Sequence, residues 1–335
     1  MRNDPYQTRP CVTGCRPRRA GRLFCLVALS ATLVCLTTPH FSAPAPAASD
    51  GPASALPHPI REAITLIDRG ERDQAAALLA LVGSEALVKT TEDFSNKWYR
   101  AEIAKCQYVL GAYADCLDNA GIVLYGAPQH TPFGINYYGA LAAGRLQLWP
   151  LVLDFAQDPE GLAQYLTSLR DKIDASQVKQ LSLCLAVALA RVGRFDEAQK
   201  RLETLAKSAK NQEEAAALRL CLAEVANRQR AVRAKEIKPF DASAFWLEAL
   251  DSPSWWVQTQ AMTHVARPRD AALYDKLAAR LRHQRWEVRD GAVSALGAHG
   301  DRRAVEILRP LLQDPNANVR DSVQHALKQL GEAID

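Results

Sequence analysis

Residues 286–297 read WEVRDGAVSALG, and residues 317–331 read ANVRDSVQHALKQLG. Each carries Val-Arg-Asp, then a small residue, then Ala-Leu, with apolar positions three and four apart, the spacing of one helix face. Val288 and Val319 stand 31 residues apart, and Val257 stands 31 before Val288. Further columns keep that period: Ala261, Ala292 and Val323, then Val265, Leu296 and Leu327. A preceding helix aligns as Trp246, Leu277 and Leu308, and as Leu250, Leu281 and Leu312. Ser252-Pro253 aligns with Asp314-Pro315, which predicts a capped helix start with proline in the first turn. A single helical hairpin cannot bury its apolar stripe alone, so the copies are expected to stack and share a core.

These columns resemble the short HEAT-like repeats of the phycobilisome-lyase type, over roughly residues 241–335. The resemblance implies a hydrogen-bond ladder between units, carried here by Arg289, Asp290, Arg320 and Asp321. The first unit has Gln258-Thr259 in their place, so the ladder is expected to stop there. The family name implies no lyase activity, since many members are binding scaffolds. Two full units plus half-units fall short of the about three that stand alone, so this array must lean on the helices before it.

Upstream, GERDQAAALL from Gly70, GAYADCLDNA from Gly111 and GRFDEAQKRL from Gly193 share a pattern. Glycine permits a tight turn between antiparallel helices. Five residues on, Ala75, Cys116 and Ala198 let the second helix lie close against the first. The pattern resembles the tetratricopeptide repeat, and Pro128 lies where that family often ends its second helix. The glycine spacings of 41 and 82 depart from the family's period, and residues 121–178 lack the motif. Almost no stretch alternates with period two, which points to an all-α chain.

The N-terminal lead differs. Arg16, Arg18, Arg19 and Arg22 precede an uncharged run, Leu23 to Leu36, and then small residues and prolines ending in Ala45-Pro46-Ala47. Basic, apolar, then small is the pattern of an export signal, and the run is short of the roughly 20 residues that span a bilayer. A mature chain beginning near Ala48 is expected, with an uncleaved membrane anchor as the alternative. Cys35 follows Thr-Leu-Val, a poor lipoprotein site. Residues 1–47 hold six of the 41 basic and one of the 37 acidic residues, leaving 35 against 36, a net charge of −1. Nothing in such a balance suggests a strong field for nucleic acid or anionic lipid. Of eight cysteines, Cys106, Cys116, Cys184 and Cys221 lie beyond the signal; an even number in an exported chain permits disulfides, while their apolar helical patterns read as buried core.

No metalloprotease, nucleophile-elbow, phosphate-loop, dinucleotide or EF-hand motif occurs, and the seven histidines are dispersed. No cofactor and no metal site are expected. The aromatic residues crowd one place: Phe245, Trp246, Trp255, Trp256 and Trp286. Trp246 shares a core column, and Trp255 shares one with Trp286 and Ala317. Trp256 shares its column with Glu287 and Asn318, so its indole is expected to face outward, either as a partner anchor or as a seal on the junction. Trp255 and Trp286 complete this candidate binding patch.

Together these readings describe an all-α solenoid of stacked helical hairpins. Residues 1–47 are the signal, 48–57 a linker, 58–235 tetratricopeptide-like and 236–335 HEAT-like. The function expected is an exported, non-enzymatic scaffold for one or more proteins, with possible envelope association, no nucleic acid and no membrane domain beyond the signal segment. The alternatives are an enzyme accessory or lyase-like factor, or a binder of glycan or lipid.

Overall fold

A glycine with positive φ closes each hairpin whose turn the sequence marks: Gly70 (79°), Gly111 (84°) and Gly193 (88°). In the computed structural model each turn has the same pair of backbone bonds. At the first, Glu71 N–H donates to Leu66 O at 2.9 Å and Gly70 N–H to Ile67 O at 3.0 Å; Ala112 and Arg194 repeat the bond that spans five residues. The structure describes residues 58–84, 94–126, 131–161, 174–265 and 271–332. The expected signal, linker and Pro128 lie outside them.

The turns join α1 (His58–Asp68) to α2 (Arg72–Ser84), α3 (Phe94–Leu110) to α4 (Tyr113–Gly126), and α7 (Ala175–Arg191) to α8 (Phe195–Lys207). A further hairpin, α5 (Phe133–Arg145) and α6 (Trp149–Phe155), has the same turn without glycine. Gln147 takes the left-handed conformation at φ 58°, and Leu148 N–H reaches Ala143 O at 2.8 Å. The hairpin that the glycine motif passes over is therefore present. Five residues after each turn residue, Ala75, Cys116, Val152 and Ala198 are fully buried, which is what allows the two helices of each pair to close. The long α9 (Gln212–Arg233) packs on α8.

The C-terminal part stacks α10 (Ala242–Ala249) on α11 (Trp255–Val265), α12 (Ala271–Arg280) on α13 (Trp286–His299), and α14 (Ala304–Leu308), with its 3₁₀ turn Arg309–Gln313, on α15 (Ala317–Gln329). The period-31 columns form its interior: Val257, Val288, Val319, Ala261, Ala292, Val323, Leu296, Leu277 and Leu308 are all fully buried. Only Leu312 at the end of its column is half-buried. α11 packs on α13 and α13 on α15, so these helices make one continuous layer. Among the described residues no strand occurs, and no helix is long and apolar enough to cross a membrane. The described residues thus fold as an all-α solenoid.

The helix starts of α11 and α15 differ from expectation by two residues. The caps are Ser254, whose Oγ accepts Val257 N–H at 3.2 Å, and Asn316, which accepts Asn318 N–H at 2.9 Å. Pro253 and Pro315 precede the caps. Asp314, the residue expected to cap, accepts the Asn316 N–H at 2.9 Å before the helix and pairs with the Arg289 guanidinium. Cys106, Cys116, Cys184 and Cys221 are buried free thiols. Burial pushes the Cys106 and Cys184 thiols up to about 12, as befits small core residues.

Candidate functional site

The aromatic crowding lies where α11 meets α4, a helix that precedes it by more than a hundred residues. Asp118 on α4 reaches the N-terminus of α11. Its Oδ1 accepts Ser254 Oγ–H at 2.5 Å and Trp256 N–H at 3.1 Å, so a distant carboxylate serves amide and hydroxyl groups at a helix start. Burial outweighs these bonds and pushes the Asp118 carboxyl up to about 6. Beneath it, Arg100 of α3 is buried. It donates to Asn119 Oδ1 at 3.0 Å, while Asn119 Nδ2–H donates to Arg100 O at 2.6 Å.

The outward orientation expected of Trp256 is corrected by this packing: its indole is only 8% exposed. It lies over Gly121 of α4, where a side chain would collide with it. The column comparison failed for a physical reason. The sister helices α13 and α15 have α11 and α13 behind them, whereas α11 has α4, whose glycine leaves room for a ring. Glu287, expected to be exposed, is also covered; it accepts Arg285 Nη2–H at 2.8 Å, and Arg285 lies 4.2 Å over the Trp255 ring. Asn318 alone in that column is exposed. Trp255 is buried and Trp286 half-buried, so the tryptophan column opens towards solvent along the stack, ending at exposed Ala317.

The candidate ladder residues hold turns as well as neighbouring units. Arg289 grips Asp314 of the next unit in two parallel bonds, 2.8 and 2.9 Å, and its Nη1 donates to His283 O and Gln284 O. Arg320 donates to Asp314 O at 2.7 Å and Pro315 O at 3.2 Å. Gln258, where the series was expected to stop, keeps the same bond through Nε2 to Ser252 O at 2.8 Å, with the same six-residue reach. The amide is long enough for one carbonyl. Asp290 accepts Ser322 Oγ–H at 2.5 Å across the units, and Asp321 is exposed on the last helix.

A second feature gives no sequence motif. Between α6, α7 and α8 on one side, and Phe240, Trp246 and His264 on the other, lies a groove of about 960 Å³. Leu153, Leu185, Leu189 and Val192 line it with hydrocarbon. His264 stacks flat on Trp246, 4.1 Å between centroids and 7° between planes, and burial holds its imidazole below the usual range. Acids and bases frame the groove. Arg201 pairs with Glu160 at 3.1 Å and bonds Ser182, and Arg194 grips Glu197 in two bonds of 2.6 Å. Hydrogen bonds, from Ser182 and Arg201 and from Arg194, hold both glutamates below the ordinary carboxylate range, in spite of some burial at Glu160. The groove draws its walls from residues 150–160, 185–205 and 240–264, which no local pattern links. Among the described residues no three metal-ligating side chains gather.

Residues 243–331 match the family model of HEAT repeats. No curated protein matches the chain. Among solved structures, human deoxyhypusine hydroxylase in complex with glycerol is similar at 15% identity, covering 80% of this chain and 99% of that one, with a TM-score of 0.25. An engineered protein is similar at 17% identity, covering 76% of this chain and 94% of that one, also with a TM-score of 0.25.

Proposed function

Taking as premise that residues 243–331 are HEAT repeats, we propose that the chain is an exported, non-enzymatic scaffold that holds another protein along the groove between α6–α8 and the first HEAT hairpin. The groove itself carries this reading. It joins an apolar floor to charged rims, the composition by which concave helical arrays accept a polypeptide. The paired glutamates, Glu160 and Glu197, serve as fixed charges at the groove. A carboxylate held ionised by its own guanidinium is a poor proton donor near neutral pH. Export is supported by the arginines, apolar run and Ala-Pro-Ala of the lead.

The test is a photo-crosslinking amino acid placed at Val192 or Ala242 in the groove, and at Arg219, an exposed residue of α9 outside it. In cells, the groove positions are expected to give a discrete protein adduct that Arg219 does not. Adducts equal at all three positions, or none from the groove, would end the scaffold reading.

A further inference from the structure

We propose that the segment held in this groove is a polypeptide stretch with a lysine or arginine between apolar residues, its cation seated against Asp154. The inference rests on the groove being the binding surface, and extends that reading to the chemistry of the partner.

The groove contains three carboxylates of its own, Asp154, Glu160 and Glu197. Two are already satisfied, by Arg201 and Arg194. Asp154 differs: among the described residues it makes no hydrogen bond and no ion pair. Solvent reaches it, yet it stands in a concave wall of α6, with hydrocarbon from Leu153 alongside. Crowding by protein, with no charge to offset it, raises its carboxyl to about 6. A carboxylate in that state is incompletely hydrated and unneutralised, so a cation carried in by a ligand gains more there than on open surface. Lys200, also exposed and without an ion-pair partner among the described residues, lines the same groove from α8. Asp154 is the lining carboxylate left without a cation, and so the place for one.

The remaining lining sets what flanks the cation. Leu153, Val192 and Phe240 are half-buried, each leaving part of an apolar surface open. They stand on α6, on the α7–α8 turn and on the approach to α10, so one extended or helical segment meets all three. Apolar side chains on either side of a basic residue match this order, and the methylene stem of the basic residue covers hydrocarbon on its way to the carboxylate.

The experiment uses a phage-displayed library of random linear peptides, panned on the full chain and on three variants: Asp154→Asn, Asp154→Lys and Val192→Glu. Asp154 makes no hydrogen bond or ion pair among the described residues, so its variants should melt no lower than the parent, which circular dichroism checks. On the parent, peptides with a basic residue between apolar ones are expected to be enriched. Asp154→Asn should weaken a selected peptide by about tenfold or more, the worth of one charge-assisted bond. Asp154→Lys should reverse the selection towards acidic peptides. If enriched peptides are lost on Val192→Glu but show no basic preference, or bind Asp154→Asn equally, the cation inference is wrong and the groove reading stands. If no enriched peptide depends on Val192, both fail.

Discussion

Trp256 lies across Gly121: a β-carbon on the glycine would sit 2.7 Å from the indole Cγ and Cδ2. Two helices more than a hundred residues apart in the chain thus meet where one residue has no side chain and the other has the largest. With the Asp118 bonds to Ser254 and Trp256, this contact seats the HEAT array on the earlier hairpins.

Gly121→Ala is expected to cost about 1–3 kcal/mol by overpacking, and Trp256→Ala about 3–5 kcal/mol by leaving a cavity. Urea denaturation of both and of the double variant gives the coupling. Removal of the ring relieves the collision, so the double variant should cost less than the sum. Strict additivity would show that the two residues do not share this contact.

Leu296 is fully buried in its column, so Leu296→Ala should cost about 2–5 kcal/mol. Glu306 on the outer helix is exposed, and Glu306→Ala should remain within about 0.5 kcal/mol. Equal, mild losses in chemical denaturation would refute the stacking register.

The Arg289–Asp314 pair is nearly enclosed, with side chains 12% and 4% exposed. Arg289→Ala strands a carboxylate in the interior and should cost about 3–5 kcal/mol. Arg320→Ala removes only carbonyl contacts at the end of the stack and should cost about 1 kcal/mol. Melting curves that rank the two in the opposite order would remove the pair from the repeat-to-repeat linkage.

The Asp118 carboxyl titrates near 6 in the fold and about 4 when unfolded. Between these values the folded chain holds a proton that the unfolded chain has released. Its contribution to stability is therefore present below about 4 and lost as pH rises through about 6. Asp118→Asn keeps an acceptor for Trp256 N–H and removes the titration. The variant should gain on the parent in melting temperature from pH 4 to pH 7, and a difference that does not vary with pH would contradict the assignment. Asp314, held low by Arg289, acts in the opposite sense, which is why the difference between proteins is the quantity to read.

Export is tested by the intact mass of the protein from an extracytoplasmic fraction. Loss of the first 47 residues is expected. A retained lead would favour the membrane anchor.

The HEAT columns and glycine turns were legible because each is a local event: a period of 31 repeats one packing environment, and a left-handed turn normally demands glycine. Gln147 escaped because a longer side chain takes the same turn at a cost of about 1–2 kcal/mol, which its surroundings must offset. The column misplaces Trp256 because it records the average neighbour and the first unit has a different one, and it misplaces Glu287 because Arg285, lying over Trp255, covers that carboxylate. The groove could not be read at all. Asp154 and Trp246 are ordinary residues in ordinary helices, and only the return of the chain brings their elements face to face.

That return also orders events in time. Asp118 is 136 residues ahead of Ser254. At synthesis rates of about 5–20 residues per second, α4 waits roughly 7–30 s for α11. The early hairpins close on near neighbours as they emerge. The face around Gly121, shaped to take an indole, has no occupant until α11 follows. During that interval aggregation competes with docking, and the outcome depends on how crowded the nascent chains are.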